Sequence, residues 1–221
     1  TSTLYAFVAK LESTEHKFIT VEDPVEYEVE GIVQCQVRDK VGMTFAAALR
    51  SILRQDPDIV LLGEIRDVET AEISIQASLT GHLVLSTLHT NEAAGAITRL
   101  IDMGMEPFLL TSTILGIVGQ RLVRRICPMC KEVAKLPEAL IRQLAPRDTD
   151  ISKLVFYKGN GCEECAGTGY KGRTGVYELF VMSEEMQELV LQKAPANMLH
   201  AKARELGMQT MSEDGYKKAI A

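Results

Sequence analysis

The hydrophobic pattern changes period several times along the chain, and each change marks a predicted element. Leu4, Phe7, Val8 and Leu11 recur at helical spacing and predict a helix over 4–11. Phe18-Ile19-Thr20-Val21 reads as a short strand closing on Glu22-Asp23-Pro24-Val25-Glu26, where Pro24 stops regular pairing. Residues 31–37 predict a further strand, with Cys35 as a small strand or core residue. Thr44 is placed to cap a helix over 45–53. After the turn Asp56-Pro57-Asp58, the run Ile59-Val60-Leu61-Leu62 goes straight into Gly63-Glu64, the pattern of a parallel strand covered on both faces. A helix over 68–79 follows, with Glu69 at its positive end and Gly81 at its stop. Leu83-Val84-Leu85-Ser86-Thr87 is a second buried strand and closes at Leu88-His89-Thr90-Asn91. Thr90 or Asn91 caps a helix over 92–103, and Pro107 opens another that extends to about residue 123.

Strands alternating with helices predict a wound α/β sheet up to about residue 120. The character changes at Arg124-Arg125-Ile126-Cys127, after which the sequence is turn-rich as far as Gly175. Val176-Tyr177-Glu178-Leu179-Phe180 reads as a strand, and helices over 183–192 and 196–206 follow. The expected organisation is a core over 1–124, a cysteine module over 125–182 and a helical region over 183–221. The formal net charge of −6 argues against wholesale electrostatic binding to nucleic acid. The most membrane-like stretch, 107–119, is too short to span a bilayer, so membrane contact is expected only through partners. The start, Thr1-Ser2-Thr3-Leu4-Tyr5, has no basic region, no cleavage pattern and no initiator Met.

Four of the five cysteines form two pairs, Cys127-Pro128-Met129-Cys130 and Cys162-Glu163-Glu164-Cys165. Each Cys-x-x-Cys is a tight knuckle that aims two thiolates at one point, and four thiolates suit a closed, structural Zn²⁺ site. A redox dithiol and four unrelated cysteines are the competing readings. The gap between the pairs exceeds usual ribbon spacing and leaves room for a helix over 138–144. Zinc ribbons often touch nucleic acid, a role that Glu163 and Glu164 weaken and that Arg124, Arg125, Lys171 and Arg173 keep open. Gly167-Thr168-Gly169-Tyr170-Lys171-Gly172-Arg173-Thr174 mimics a phosphate loop, but it follows a cysteine knuckle and enters a strand, so its glycines are read as a tight connection.

If the strands are parallel neighbours, their ends bring Glu22, Asp23 and Glu26, then Glu64, then Thr87 and His89 to one edge of the sheet. Phosphoryl-transfer motors need carboxylates for Mg²⁺ and for the attacking water, and a polar sensor near the γ-phosphate. His82 and His89 are an odd number of residues apart and fall on opposite faces of a continuous strand, so His89 is the sensor candidate and His82 a packed histidine. No Gly-x-x-x-x-Gly-Lys-[Ser/Thr] loop occurs in the sequence.

These motifs resemble those of the type II secretion and type IV pilus assembly ATPases. Residues 19–26 resemble the Asp box, Leu53-Arg54-Gln55-Asp56-Pro57-Asp58 with Leu61-Leu62-Gly63-Glu64-Ile65-Arg66-Asp67 the Walker B region, and residues 80–91 the His box. The cysteine pairs resemble the C-terminal zinc module. Tyr27, Asp102-Met103-Gly104 and Gln120-Arg121-Leu122 resemble the type II secretion, general secretion pathway protein E branch. The resemblance implies a RecA-like P-loop NTPase core followed by a zinc-binding, mainly helical lobe. It implies that Thr1 is the last, Mg²⁺-ligating residue of a Walker A loop whose earlier part lies upstream, so the chain alone is expected to hydrolyse ATP poorly. It further implies that Glu64 positions Mg²⁺ and the attacking water, with Glu22, Asp23 and Glu26 on the metal and phosphate side. His89 is then the γ-phosphate sensor, and Arg66 a candidate arginine acting across a subunit interface. The parent is expected to be a cytoplasmic hexamer, peripheral to the inner membrane and bound to secretion platform proteins. A nucleic-acid motor of the same core fold and a zinc-stabilised docking module without ATPase activity are the rival readings.

Overall fold

A computed structural model describes residues 2–11, 16–144 and 154–220. The described residues fall into two compact units, one drawn from 1–90, 95–115 and 182–196, the other from 91–94, 116–181 and 197–221. No helix among them is long and apolar enough to cross a membrane.

The first unit is built on a parallel sheet of β1 (Phe18–Glu22), β2 (Val33–Gln36), β3 (Ile59–Leu62) and β4 (Leu83–Ser86), in the order β2-β1-β3-β4. The central strands β1 and β3 are buried at every position, as uninterrupted apolar runs require. Alternation sorts their side chains between two cores. Ile19, Val21, Val60 and Leu62 pack with Phe45, Leu49 and Ile52 of α2 (Phe45–Ile52), whereas Phe18, Ile59 and Leu61 pack with Val8 of α1 (Ser2–Leu11). Thr44 caps α2 by accepting the Ala47 amide at 3.2 Å, and Asp67 caps α3 (Val68–Leu79) by accepting the Thr70 amide at 2.8 Å. The unit continues into α4 (Ala93–Asp102) from Gly95 onward, α5 (Pro107–Thr113) and, later in the chain, α7 (Glu184–Leu191).

The helix expected to run on to residue 123 ends at Thr113. In its last turns the hydroxyls of Thr111, Ser112 and Thr113 bond back to carbonyls three and four residues earlier, and Ile114 is already extended. Residues 116–126 form β5 (Gly116–Ile126) instead, paired antiparallel with β8 (Tyr170–Val181). The boundary expected at 124 therefore lies inside a strand, and α7 belongs with the first unit.

The lobe expected to be mainly helical is also corrected, because the second unit is organised on β-ribbons. A hairpin of β6 (Lys131–Ala134) and β7 (Phe156–Gly159) adjoins the β5–β8 ribbon, with α6 (Glu138–Leu144) in its connection. Two helices complete the unit, α8 (Ala196–Glu205) and α9 (Met211–Ile220). Thr210 and Glu213 reciprocally cap α9: the Thr210 hydroxyl accepts the Glu213 amide at 3.2 Å and the Glu213 carboxylate accepts the Thr210 amide at 2.9 Å.

Candidate functional site

The C-terminal ends of β1, β3 and β4 are laced together just past the last ladder bonds. The Gly63 amide donates to the Val21 carbonyl at 2.8 Å, and a Cβ on Gly63 would stand 3.3 Å from that same oxygen. Glycine is thus what lets β3 leave the sheet close against β1. The Thr87 hydroxyl donates to the Gly63 carbonyl at 2.7 Å, while the Thr87 carbonyl accepts the Ile65 amide at 3.0 Å. Glu64 is clamped between these two tethers, at the position where wound α/β sheets present ligands.

Around Glu64 the chain assembles a compact charged group. The Arg66 guanidinium donates to Glu64 Oε1 at 2.5 Å and lies 3.8 Å from Asp23 Oδ2; His89 Nε2 lies 3.4 Å from Glu64 Oε2. Glu64 is 14% exposed, against 58% for Arg66 and 87% for His89, so the carboxylate is sheltered and its partners face solvent. The hydrogen bond from Arg66, opposed by partial burial and reinforced by the Arg66 and His89 charges, holds the Glu64 carboxyl below the usual carboxylate range. An ionised carboxylate beside a second acid is a hard-oxygen set, the donor type that Mg²⁺ and its waters take.

Glu22 is set apart from this group. It is 4% exposed and faces α1, where Oε2 accepts the Tyr5 hydroxyl at 2.6 Å and Oε1 accepts Thr20 Oγ1 at 2.6 Å and Gln34 Nε2 at 3.2 Å. Burial, with the neighbouring Glu22 carboxylate, pushes the Tyr5 phenol up to about 12. With donors from α1, β1 and β2 on its two oxygens, Glu22 ties the first helix to the sheet. Glu26 lies exposed on the turn after β1. Thr87 uses its hydroxyl within the strand-end lacing, and Thr1 lies outside the described residues. His82 packs against the end of α3, with Nδ1 2.9 Å from the Ala77 carbonyl.

The second constellation is the four paired cysteines. Cys127 follows β5, Cys130 precedes β6, and Cys162 and Cys165 stand between β7 and β8, so the long spacing is the β6–β7 hairpin. The sulfurs lie within 4.8 Å of one another, with Cys127–Cys162 and Cys130–Cys165 at 3.9 Å and Cys162–Cys165 at 3.7 Å. A tetrahedron with metal–sulfur bonds of about 2.3 Å has edges of about 3.8 Å, so the set fits Zn²⁺. The thiols are free rather than disulfide-linked. Backbone amides of Cys162 and Gly169 each donate to Cys165 Sγ at 3.2 Å, and these bonds hold the Cys165 thiol down at about 6. Partial burial pushes Cys162 up to about 11.

The glycines around the knuckle follow from packing. A Cβ on Gly159 would fall 2.0 Å from the Gly169 carbonyl oxygen, and one on Gly161 would fall 2.6 Å from that of Gly167. The stretch that mimics a phosphate loop enters β8 rather than a helix.

The model of the family described as type II/IV secretion system protein matches residues 1–221. The chain is 52% identical over 220 residues to the type II secretion system protein E of Pseudomonas aeruginosa, covering 100% of this chain and 43% of that protein. It is 48% identical over 218 residues to the type IV pilus assembly ATPase PilB of Thermus thermophilus, covering 99% of this chain and 24% of that protein. Among solved structures, the ADP-bound pilus retraction motor PilT is similar at TM-score 0.66 and 29% identity, covering 98% of this chain and 51% of that one. The chain thus spans less than half the length of the curated relatives it matches.

Proposed function

Because the chain belongs to the type II/IV secretion system protein family, we propose that it is the C-terminal region of a RecA-like motor ATPase that drives assembly of a pseudopilus or pilus in protein secretion. The observation that carries this reading is the sheltered Glu64 carboxylate at the end of β3, grouped with Asp23, Arg66 and His89. In this reading Glu64 and Asp23 hold Mg²⁺ or its waters, and the Mg²⁺ neutralises phosphate charge. Glu64 orients the attacking water, and His89 contacts the γ-phosphate. Arg66 keeps the carboxylate ionised until nucleotide arrives. Glu22 braces the helix that follows the phosphate loop, and Glu26 faces the metal side from its turn. The four cysteines hold a structural Zn²⁺. The intact motor is a hexamer on the cytoplasmic face of the inner membrane, joined to the membrane through platform proteins.

The test is Glu64→Gln in the full-length parent, which carries the phosphate loop. The amide keeps the side chain's size but neither ligates Mg²⁺ well nor accepts a proton. Turnover should fall at least ~100-fold while Mg-ATP binding persists. Normal turnover would remove Glu64 from the mechanism.

A further inference from the structure

In the second unit β8 pairs only with β5, so every second residue of β8 turns its N–H and C=O away from the ribbon. Unpaired ladder groups on such an edge are a template for another strand. Helix α9 covers the middle of the edge with side chains. Asp214 Oδ2 accepts the Tyr177 amide at 2.9 Å, and Lys218 Nζ donates to the Gly175 carbonyl at 2.9 Å. A carboxylate and an ammonium thus take the places of a neighbouring strand's C=O and N–H. Alternation turns Leu179 and Val181 to the same edge, and their amides have no hydrogen-bond partner among the described residues. Both side chains are 55% exposed, and Val118 of β5, opposite Leu179, is exposed with them.

The cover is weakly built. Tyr216 is the one buried residue of α9, and its hydroxyl is buried without a hydrogen-bond partner, an uncompensated cost. Gly215 stands inside the helix, where glycine is less favourable than alanine. A Cβ there would meet Val176 Cγ1 at 3.4 Å, so packing does not demand the glycine. The contacts that hold α9 to the edge, through Asp214 and Lys218, are polar and reachable by solvent.

Arg173 stands on the same edge, directly opposite Arg124 of β5. Like charges facing each other across a ladder repel. Arg124 lies over the Tyr170 ring at 4.0 Å, and neither guanidinium has a carboxylate partner among the described residues.

We propose that α9 is a displaceable cover, and that the outer edge of β8 from Arg173 to Val181 docks an extended partner segment as an added antiparallel strand, apolar at alternate positions and acidic at the end that meets Arg173. The free ladder groups call for an extended backbone, because a helix bonds its own N–H and C=O groups internally. Leu179 and Val181 call for apolar neighbours, and the facing arginines for a carboxylate. In antiparallel pairing that carboxylate lies at the segment's C-terminal end. A second copy adding β8 to β8 offers Arg173 no carboxylate, since Glu178 of β8 is buried on the opposite face.

The experiment titrates a fluorescein-labelled decapeptide, alternating valine and threonine and ending in two glutamates, against the full-length parent, and follows amide hydrogen exchange along β8. Without peptide, the Tyr177 amide should exchange more slowly than those of Leu179 and Val181. Asp214→Ala/Lys218→Ala should speed Tyr177 exchange and tighten peptide binding roughly tenfold. Gly215→Ala strengthens the cover and should weaken binding roughly fivefold, so a sign remains to be read even if the double variant folds poorly. Arg173→Glu should weaken binding about tenfold, and a peptide ending in two lysines should recover part of the loss. Bound peptide should protect Tyr177, Leu179 and Val181 together. Equal affinity across the cover variants, or protection that misses these three amides, overturns the proposal. Self-association of the double variant that the peptide does not reverse would assign the edge to a second copy and overturn it as well.

Discussion

The tetracysteine centre and the strand-end cluster both gather ligating groups from distant parts of the chain, but they are finished in opposite ways. The four sulfurs sit at the edge lengths of a tetrahedron, two backbone amides already bond Cys165, and glycines let the surrounding chain close to van der Waals contact. Nothing is left over for a substrate. At the strand ends, Glu64 is sheltered but its partners Arg66 and His89 are open to solvent and able to move aside. A set whose coordination is complete suits folding, and a set with movable partners suits the arrival and departure of a ligand. The distinction is not one of residue type. Glu22 stands at the same sheet edge as Glu64, yet its oxygens are engaged by Tyr5, Thr20 and Gln34, and it behaves like the closed site.

The sharpest way to break this comparison is to remove a sulfur. Structural zinc contributes on the order of 10 kcal/mol of folding free energy to small zinc-dependent folds, more than any single side-chain contact. Elemental analysis should give one zinc per chain. Cys127→Ser or strong chelation should release it and leave residues 116–181 open to proteolysis, while the strand-end cluster keeps its fold. Absence of zinc from the purified, unmutated protein would sink the closed-site reading.

Glu22 offers the next largest effect, because the comparison treats it as sealed. Glu22→Ala leaves three donors facing a cavity and should cost roughly 3 kcal/mol, read as a lower denaturant midpoint with an unchanged m-value. A surface loss of a few tenths of a kcal/mol would place Glu22 with the open group after all. Tyr5 supplies an independent check. Its phenol keeps its proton up to about 12 in the folded chain but gives it up near 10 when unfolded. Between those values the unfolded state binds fewer protons, so the Tyr5 contribution to stability is full below pH 10 and is lost as pH rises toward 12. Tyr5→Phe should flatten that part of the stability curve relative to the unmutated protein.

How legible each site was in the sequence follows the same division. The strands and the carboxylates at their ends were readable because each signal is local, an apolar run, a glycine, a carboxylate, but that Glu22 is taken by Tyr5 and Gln34 and leaves the group was not. The cysteine spacing named its own chemistry, although the hairpin that explains the gap depends on pairing between residues 131–134 and 156–159. Partners that come from far along the chain were not readable. The segment after Thr113 was expected to be helical because its apolar residues suit a helix as well as a strand. What decides for strand is pairing with residues 170–181, and Gly119 in particular has a purpose only once Glu178 lies opposite it. The cap of α4 was sought at Thr90 or Asn91, yet its first amide is taken by Glu178, 85 residues away. The last helix was missed for a different reason: its signal, the capping box Thr210-Met211-Ser212-Glu213 at its start, is local and went unread behind the helix predicted over 196–206.

The smallest effect probes how the open cluster is held ready. Arg66 occupies one oxygen of Glu64 and depresses its pKa, so in the nucleotide-free chain the carboxylate stays ionised below the ordinary carboxylate range. If Glu64 engages a metal-bound water as proposed, that guanidinium has to shift or share, which its exposure allows. The pair adds little stability, as exposed ion pairs do, and what it adds is present above the ordinary carboxylate pKa and lost as pH falls through the depressed one. Arg66→Ala should therefore leave thermal unfolding at neutral pH nearly unchanged. It should instead move the acid limb of kcat/KM, which reports ionisations of the free enzyme, to higher pH, because Glu64 then keeps partial burial without its strongest compensating partner. An acid limb that stays where it was would mean that some other group sets the acid side of turnover. The Arg66 contact would then be a resting place for an exposed side chain rather than part of how the site is kept charged.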